Sequence, residues 1–117
     1  MEREKQLEKY LRLRIEERGG VCQKFVSPGQ DGVPDRVIVM PGGRVYFVEL
    51  KTQAGKLSRI QKYQLKRLCN LHQICSVIYG KGGVKAFLRD VDECVVSSWV
   101  YDSDGSSWSL QEELDGI

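Results

Sequence analysis

One histidine and four cysteines are all that the 117-residue chain offers to soft metal chemistry. Cys22, Cys69, Cys75 and Cys94 stand singly, without the C-x2-4-C pairs of a zinc site or the density of a secreted disulfide scaffold. They read as reduced thiols, mostly in the core. His72 stands alone near the end of a predicted helix, where it reads as a capping or solvated side chain rather than a ligand. No run approaches the ~20 apolar residues a membrane helix needs. The N-terminal MEREKQLEKY is too charged for a signal peptide. With 41% hydrophobic and 29% charged residues, the expectation is a single soluble, cytoplasmic domain around one core, with no membrane partner.

Charge of one sign is missing from two long stretches. From Lys51 to Arg89 there are nine Lys or Arg residues and no acid; from Asp90 to the end there are eight Asp or Glu residues and no Lys or Arg. A basic block followed by an acidic tail is the asymmetry of a polyanion-binding surface with an acidic appendage. The simpler alternative is two solvated faces that neutralise each other.

Residues 2 to 18 lack Gly and Pro and space Leu7, Tyr10, Leu11 and Ile15 as one face of a helix, which Gly19 and Gly20 stop. VCQKFV (21–26) alternates as a strand. SPGQDGVP is a loop, and DRVIVM (35–40) and RVYFVELK (44–51) form a hairpin about Pro41-Gly42-Gly43. A second helix is expected within LSRIQKYQLKRLCNLHQ, with Leu57, Ile60, Leu68 and Leu71 sharing a face. ICSVIY (74–79) reads as a buried fourth strand. The intervening helix allows strands three and four to lie parallel in a mixed four-stranded sheet, order α-β-β-β-α-β. Beyond it the pattern weakens: GVKAFLRDVDEC reads as a short helix, DSDGSS (102–107) as a flexible link, and Trp99 and Trp108 either pack the tail or meet a partner. Tyr63 and Phe47 read as core residues.

Pro34-Asp35, Glu49-Leu50-Lys51 and Gln61 stand out together. Side chains alternate along a strand, so Glu49 and Lys51 share a face. The antiparallel hairpin brings Asp35 beside Glu49. Two carboxylates held close on rigid backbone repel each other, and a hard divalent cation, Mg2+ or Mn2+, is the usual reason to keep them so. The Leu50 carbonyl could add a third oxygen, with the Leu50 side chain in the core. On the first helix, at about 100° per residue, Glu4 falls within the apolar stripe while Glu8 lies at its edge.

GxPDRV, GGRVYFVELKT and KLSRIQKYQLKRL, preceded by a Glu-bearing helix ending in GG, resemble in order and spacing the VRR-NUC family, the virus-type replication-repair nucleases of the PD-(D/E)xK superfamily. The resemblance spans residues 1 to about 80. It implies a restriction-endonuclease-like α/β core, taken as residues 1–90; residues 91–117 lie outside the resemblance and read as an acidic C-terminal extension. It further implies hydrolysis of DNA phosphodiester bonds with Mg2+ or Mn2+, as an endonuclease on junctions or branched DNA in phage or virus-type replication, recombination or repair. Asp35 becomes the PD aspartate, Glu49 and Lys51 the ExK pair, Gln61 the glutamine of S-x-x-Q and Glu4 the helix-one acid. Metal binding falls to Asp35, Glu49, the Leu50 carbonyl and Glu4. Lys51 would orient the attacking water, and Gln61 would hold Lys51 or the phosphate. Lys56, Arg59, Lys62 and Lys24 are candidates for the nucleic-acid backbone. A homodimer is expected for cutting two strands, with a protein partner for the acidic tail. The rival reading is a non-catalytic nucleic-acid-binding or partner-docking module using the basic 51–89 surface.

Overall fold

The computed structural model describes residues 3–115. α1 (Glu4–Glu17) is followed by β1 (Val21–Lys24), β2 (Arg36–Val39) and β3 (Val45–Lys51), then α2 (Arg59–Asn70), β4 (Ile74–Tyr79) and α3 (Gly80–Asp92). The chain ends with β5 (Trp99–Tyr101), β6 (Ser107–Ser109) and the short α4 (Leu110–Leu114). All six strands form one sheet in sequence order. β1, β2 and β3 are antiparallel; β4 and β5 continue parallel to β3; β6 turns back antiparallel. α2 and α3 are the crossovers that parallel neighbours require.

Helices cover both faces. Leu7, Leu11 and Ile15 of α1 and Val84, Phe87 and Val91 of α3 bury against Ile38, Tyr46, Val48 and Leu50. The ring of Phe87 lies edge-on to Tyr46 and Tyr101, with centroids 5.5 and 5.6 Å apart. On the other face Leu65 of α2 and Leu110 and Leu114 of α4 bury against Cys75, Val77 and Val100. β3 lies inside the sheet and between the two layers, which is why five of its seven residues are apolar and its Glu49 has little contact with water.

Three expectations need correction. The sheet has six strands rather than four, because the acidic segment does not trail away as an extension: it supplies β5, β6 and α4, and Leu110 and Leu114 are fully buried. Gly116 and Ile117, and Glu2 of the expected first helix, lie outside the described residues. DSDGSS is a hairpin turn, closed by Asp102 N–H to the Ser106 carbonyl and Gly105 N–H to the Asp102 carbonyl. Finally, α2 turns Gln64 and Leu65 inward, leaving Ile60, Tyr63 and Leu71 exposed. α3 begins at Gly80 despite its glycines because they have a packing role: a Cβ on Gly82 would collide with the Ser103 carbonyl, and one on Gly83 would lie 2.7 Å from that of Tyr101.

Candidate active site

Hairpin register builds the site. Arg36 stands opposite Val48, so Asp35, the residue before β2, meets the end of β3. Its Oδ1 accepts from the Leu50 N–H at 3.2 Å, and Phe25 N–H donates to the Asp35 carbonyl at 2.9 Å, closing the base of the β1–β2 loop. Glu49, 4% exposed, accepts at Oε2 from Gln61 Nε2 at 3.2 Å and lies 3.7 Å from Lys51 Nζ. Leu50, 1% exposed, has its side chain in the opposite layer, as strand alternation requires.

The orientation of Gln61 follows from local sequence. Ser58 caps α2: its Oγ accepts from Gln61 N–H at 3.2 Å, while Ser58 N–H donates to Gln61 Oε1 at 2.8 Å. In this capping box the amide oxygen is occupied, so the amide NH2 faces Glu49. A Ser followed three residues later by Gln before a helical run is itself a cap signature, and it explains what the S-x-x-Q spacing accomplishes here.

Electrostatics single out the same two acids. Burial pushes the Asp35 carboxyl up to about 6; Glu4 adds to the rise, against the pull of Arg36 and the Leu50 N–H. Burial, then the charge of Asp35, pushes Glu49 up to about 7 despite Lys51. Both carboxylates are thus short of compensating positive charge. The donors are hard oxygens on rigid backbone, a set that fits a divalent cation taking one or two carboxylates and keeping several waters. Among the described residues no three His, Cys, Asp or Glu side chains converge as a ready ligand cluster.

Glu4 opens α1 and is exposed, not enclosed by the apolar stripe, because no helical turn precedes it. Its charge nevertheless contributes to the rise of the Asp35 carboxyl. Glu8 turns instead to Arg12 and Arg36, at 3.7 and 3.9 Å. Lys24 is exposed at the end of β1 opposite Arg36, at this same end of the sheet. Lys56 is exposed on the connection into α2 and Arg59 at its first residue, and Lys62 is half-buried one turn on.

Two neighbours were not expected. Arg36 donates to the Asp35 carbonyl at 2.8 Å and lies 3.9 Å from its Oδ2, tying the aspartate to Glu8 of α1. Its place beside Asp35 was visible in PDR, but its bridge to α1 needed the tertiary fold. Tyr79 stands opposite Lys51 in the parallel register; burial and the charges of Glu113 and Asp102 raise its phenol above the ordinary value.

No family model matches the chain. A protein of Acyrthosiphon pisum secondary endosymbiont phage 1 named "Putative nuclease p44" is 42% identical over 73 residues, 62% of this chain and 78% of that protein. A solved VRR_NUC domain superposes with a TM-score of 0.66 at 26% identity, over 76% of this chain and 94% of the domain. The mixed sheet and its flanking helices are those of a nuclease-like α/β fold. The chain belongs to the VRR-NUC nuclease family. Among its described residues no helix is long and apolar enough to cross a membrane.

Proposed function

We propose that this nuclease hydrolyses DNA phosphodiester bonds with Mg2+ or Mn2+, as an endonuclease on branched or junction DNA in the cytoplasm of an infected cell. The observation that carries the metal-dependent reading is the Asp35–Glu49 pair. It consists of two carboxylates, Glu49 buried on β3 and Asp35 half-buried just before β2, one held by Gln61 Nε2 and one by the Leu50 N–H, with Lys51 beside Glu49. Binding a polyanion gains nothing from carboxylates placed there, so the pair favours catalysis over a purely binding module.

Asp35 and Glu49, with the Leu50 carbonyl and Glu4 in support, would hold the cation. When bound it supplies Lewis acidity at the phosphate and lowers the pKa of its water. Lys51 orients the attacking water and offsets negative charge developing on the phosphorane-like centre. Gln61 keeps Glu49 turned toward the site. Lys24, Lys56, Arg59 and Lys62 meet the nucleic-acid backbone, which positions the strand without reading sequence. Residues 1–90 carry this machinery, and residues 91–117 add an acidic flank available to a protein partner. A homodimer places two such sites for cutting two strands.

Cleavage of a branched DNA and a matched linear duplex, each with Mg2+ and with EDTA, tests the reading. Cutting that persists in EDTA would overturn the metal role, and equal cutting of both substrates would overturn the structural preference. Binding without cleavage under every metal condition would favour the rival module.

A further inference from the structure

The ten-residue connection from Phe25 to Pro34 is not held by strand pairing, yet it leads directly into Asp35. It lies on α2. Gly32, at φ +80°, comes so close that a Cβ there would lie 2.9 Å from the Ile60 backbone. Gln64, a polar side chain only 6% exposed, donates through Nε2 to the Asp31 carbonyl at 3.1 Å and to Gln30 Oε1 at 3.3 Å. Arg67 Nη1 donates to Gln30 Oε1 and to Gln64 Oε1, both at 3.2 Å. An open pocket of about 190 Å3 lies between the loop and α2, bordered by Phe25, Val33, Gln64 and Leu68. Burying an amide beside it costs free energy unless its hydrogen bonds are made, so Gln64 commits the loop to one position.

The same helix holds Glu49 through Gln61, one turn earlier. Successive turns of α2 therefore grip the two segments that carry the paired carboxylates: β3 directly, and the entry to β2 through the loop that precedes it. We infer that Gln64, with Arg67, is a positioning residue that clasps the β1–β2 loop to α2 and so sets one wall of the groove a DNA strand follows to the site. This rests on the active-site reading above. Asp35 itself is held independently by Leu50 and Phe25. Losing the clasp should therefore loosen substrate binding rather than dismantle the reacting groups.

Gln64→Glu keeps the size of the side chain and removes the donor. Gln30→Ala removes an acceptor from the exposed loop and leaves the helix untouched. In Gln64→Glu, KM for DNA should rise about tenfold with kcat within about twofold. Amide exchange over residues 27–33 should speed up while the central strands keep their protection. Gln30→Ala should show the same split at about threefold, and it carries the test if Gln64→Glu folds poorly. An unchanged KM, or a fall in kcat alone, overturns the positioning role. Unchanged loop exchange overturns the clasp whatever the enzyme does. If Asp35→Ala cleaved like the parent, the site reading would fall instead, and the exchange data would still decide whether the clasp exists.

Discussion

The end of the β2–β3 hairpin and the β5–β6–α4 unit are both rich in carboxylates, yet they treat them in opposite ways. At the hairpin, Asp35 and Glu49 are withdrawn from water and raised to about 6 and about 7. In the C-terminal unit, Asp104 is exposed and its carboxyl is lowered by the Ser106 hydroxyl and N–H, while the Glu113 carboxylate accepts from Trp108 Nε1 at 3.0 Å. An acid satisfied locally in water organises a turn or a side chain. An acid buried beside a second acid is costly by itself and becomes useful only when something positive joins it.

The sharpest way to break this contrast is to remove the buried pair. Asp35→Ala and Glu49→Ala should each lower cleavage by about a thousandfold or more while the fold survives, because neither side chain belongs to the apolar core. Lys51→Ala should lose cleavage comparably but keep metal and DNA binding, read by calorimetry and anisotropy. Near-parental turnover in either carboxylate variant would end the paired-acid reading, and lost metal binding in Lys51→Ala would move that lysine to a different role.

In the C-terminal unit the important groups are apolar. Leu114 is fully buried at the far end of the chain. Leu114→Ala should cost about 2–5 kcal/mol of stability, whereas acid-to-amide changes nearby should cost little. A denaturant titration showing Leu114→Ala as stable as the parent would mean that the unit is not part of the core. Deleting Ser103 onward would remove β6 and α4 together and unfold the domain rather than trim it.

The contrast also marks what could be read before the fold was known. Helix α1, the hairpin, α2 and β4 were legible because each is long enough for its period to show, and the PD, ExK and S-x-x-Q elements sit on them. β5 and β6 have three residues each, too few for alternation; α3 was legible as a short helix from Gly83, but its first turn was hidden by glycines until Ser103 and Tyr101 are seen packed on them. The site acids were visible as residue types at a spacing, and their burial was not. Nor was the division between Glu4 and Glu8, which depends on where Arg36 points. Glu4→Gln should therefore reduce cleavage about tenfold and Glu8→Gln much less. An equal or larger loss at position 8 would reverse that assignment.

Acidity gives a test of the buried pair that needs no substrate. A carboxyl whose folded pKa is raised binds more protons in the native than in the unfolded state between the two values. Stability is then greatest at low pH within that window and declines as pH rises through the folded values, about 6 for Asp35 and about 7 for Glu49. In EDTA, the contribution of this pair should make the melting temperature fall between about pH 4 and pH 7 and level off above that. Glu49→Gln should flatten the decline, and Mg2+ should offset it by binding the ionised pair. A parental slope in Glu49→Gln would show that the acid is not desolvated as described.

The smallest effect expected belongs to the acids of the β5–β6 turn. Parallel pairing carries Asp102 and the turn after it to the sheet end that bears Lys51, since Tyr79 follows Lys51 in register and Tyr101 stands beside Ile78. Negative charge there repels a DNA backbone approaching the neighbouring lysines. Asp102→Asn with Asp104→Asn keeps the side-chain oxygens that accept from Ser103 N–H and Ser106 N–H in the turn while removing two charges, so duplex affinity should tighten by about two- to threefold at low salt. The gain should fade above roughly 0.3 M salt, where the screening length shrinks to a few ångströms. Removing charges that repel the phosphates, without adding a phosphate contact, should leave the number of ions released by the lysines nearly the same. An affinity that is unchanged or weaker at low salt would show that these acids do not face the DNA path, leaving the C-terminal unit a structural one.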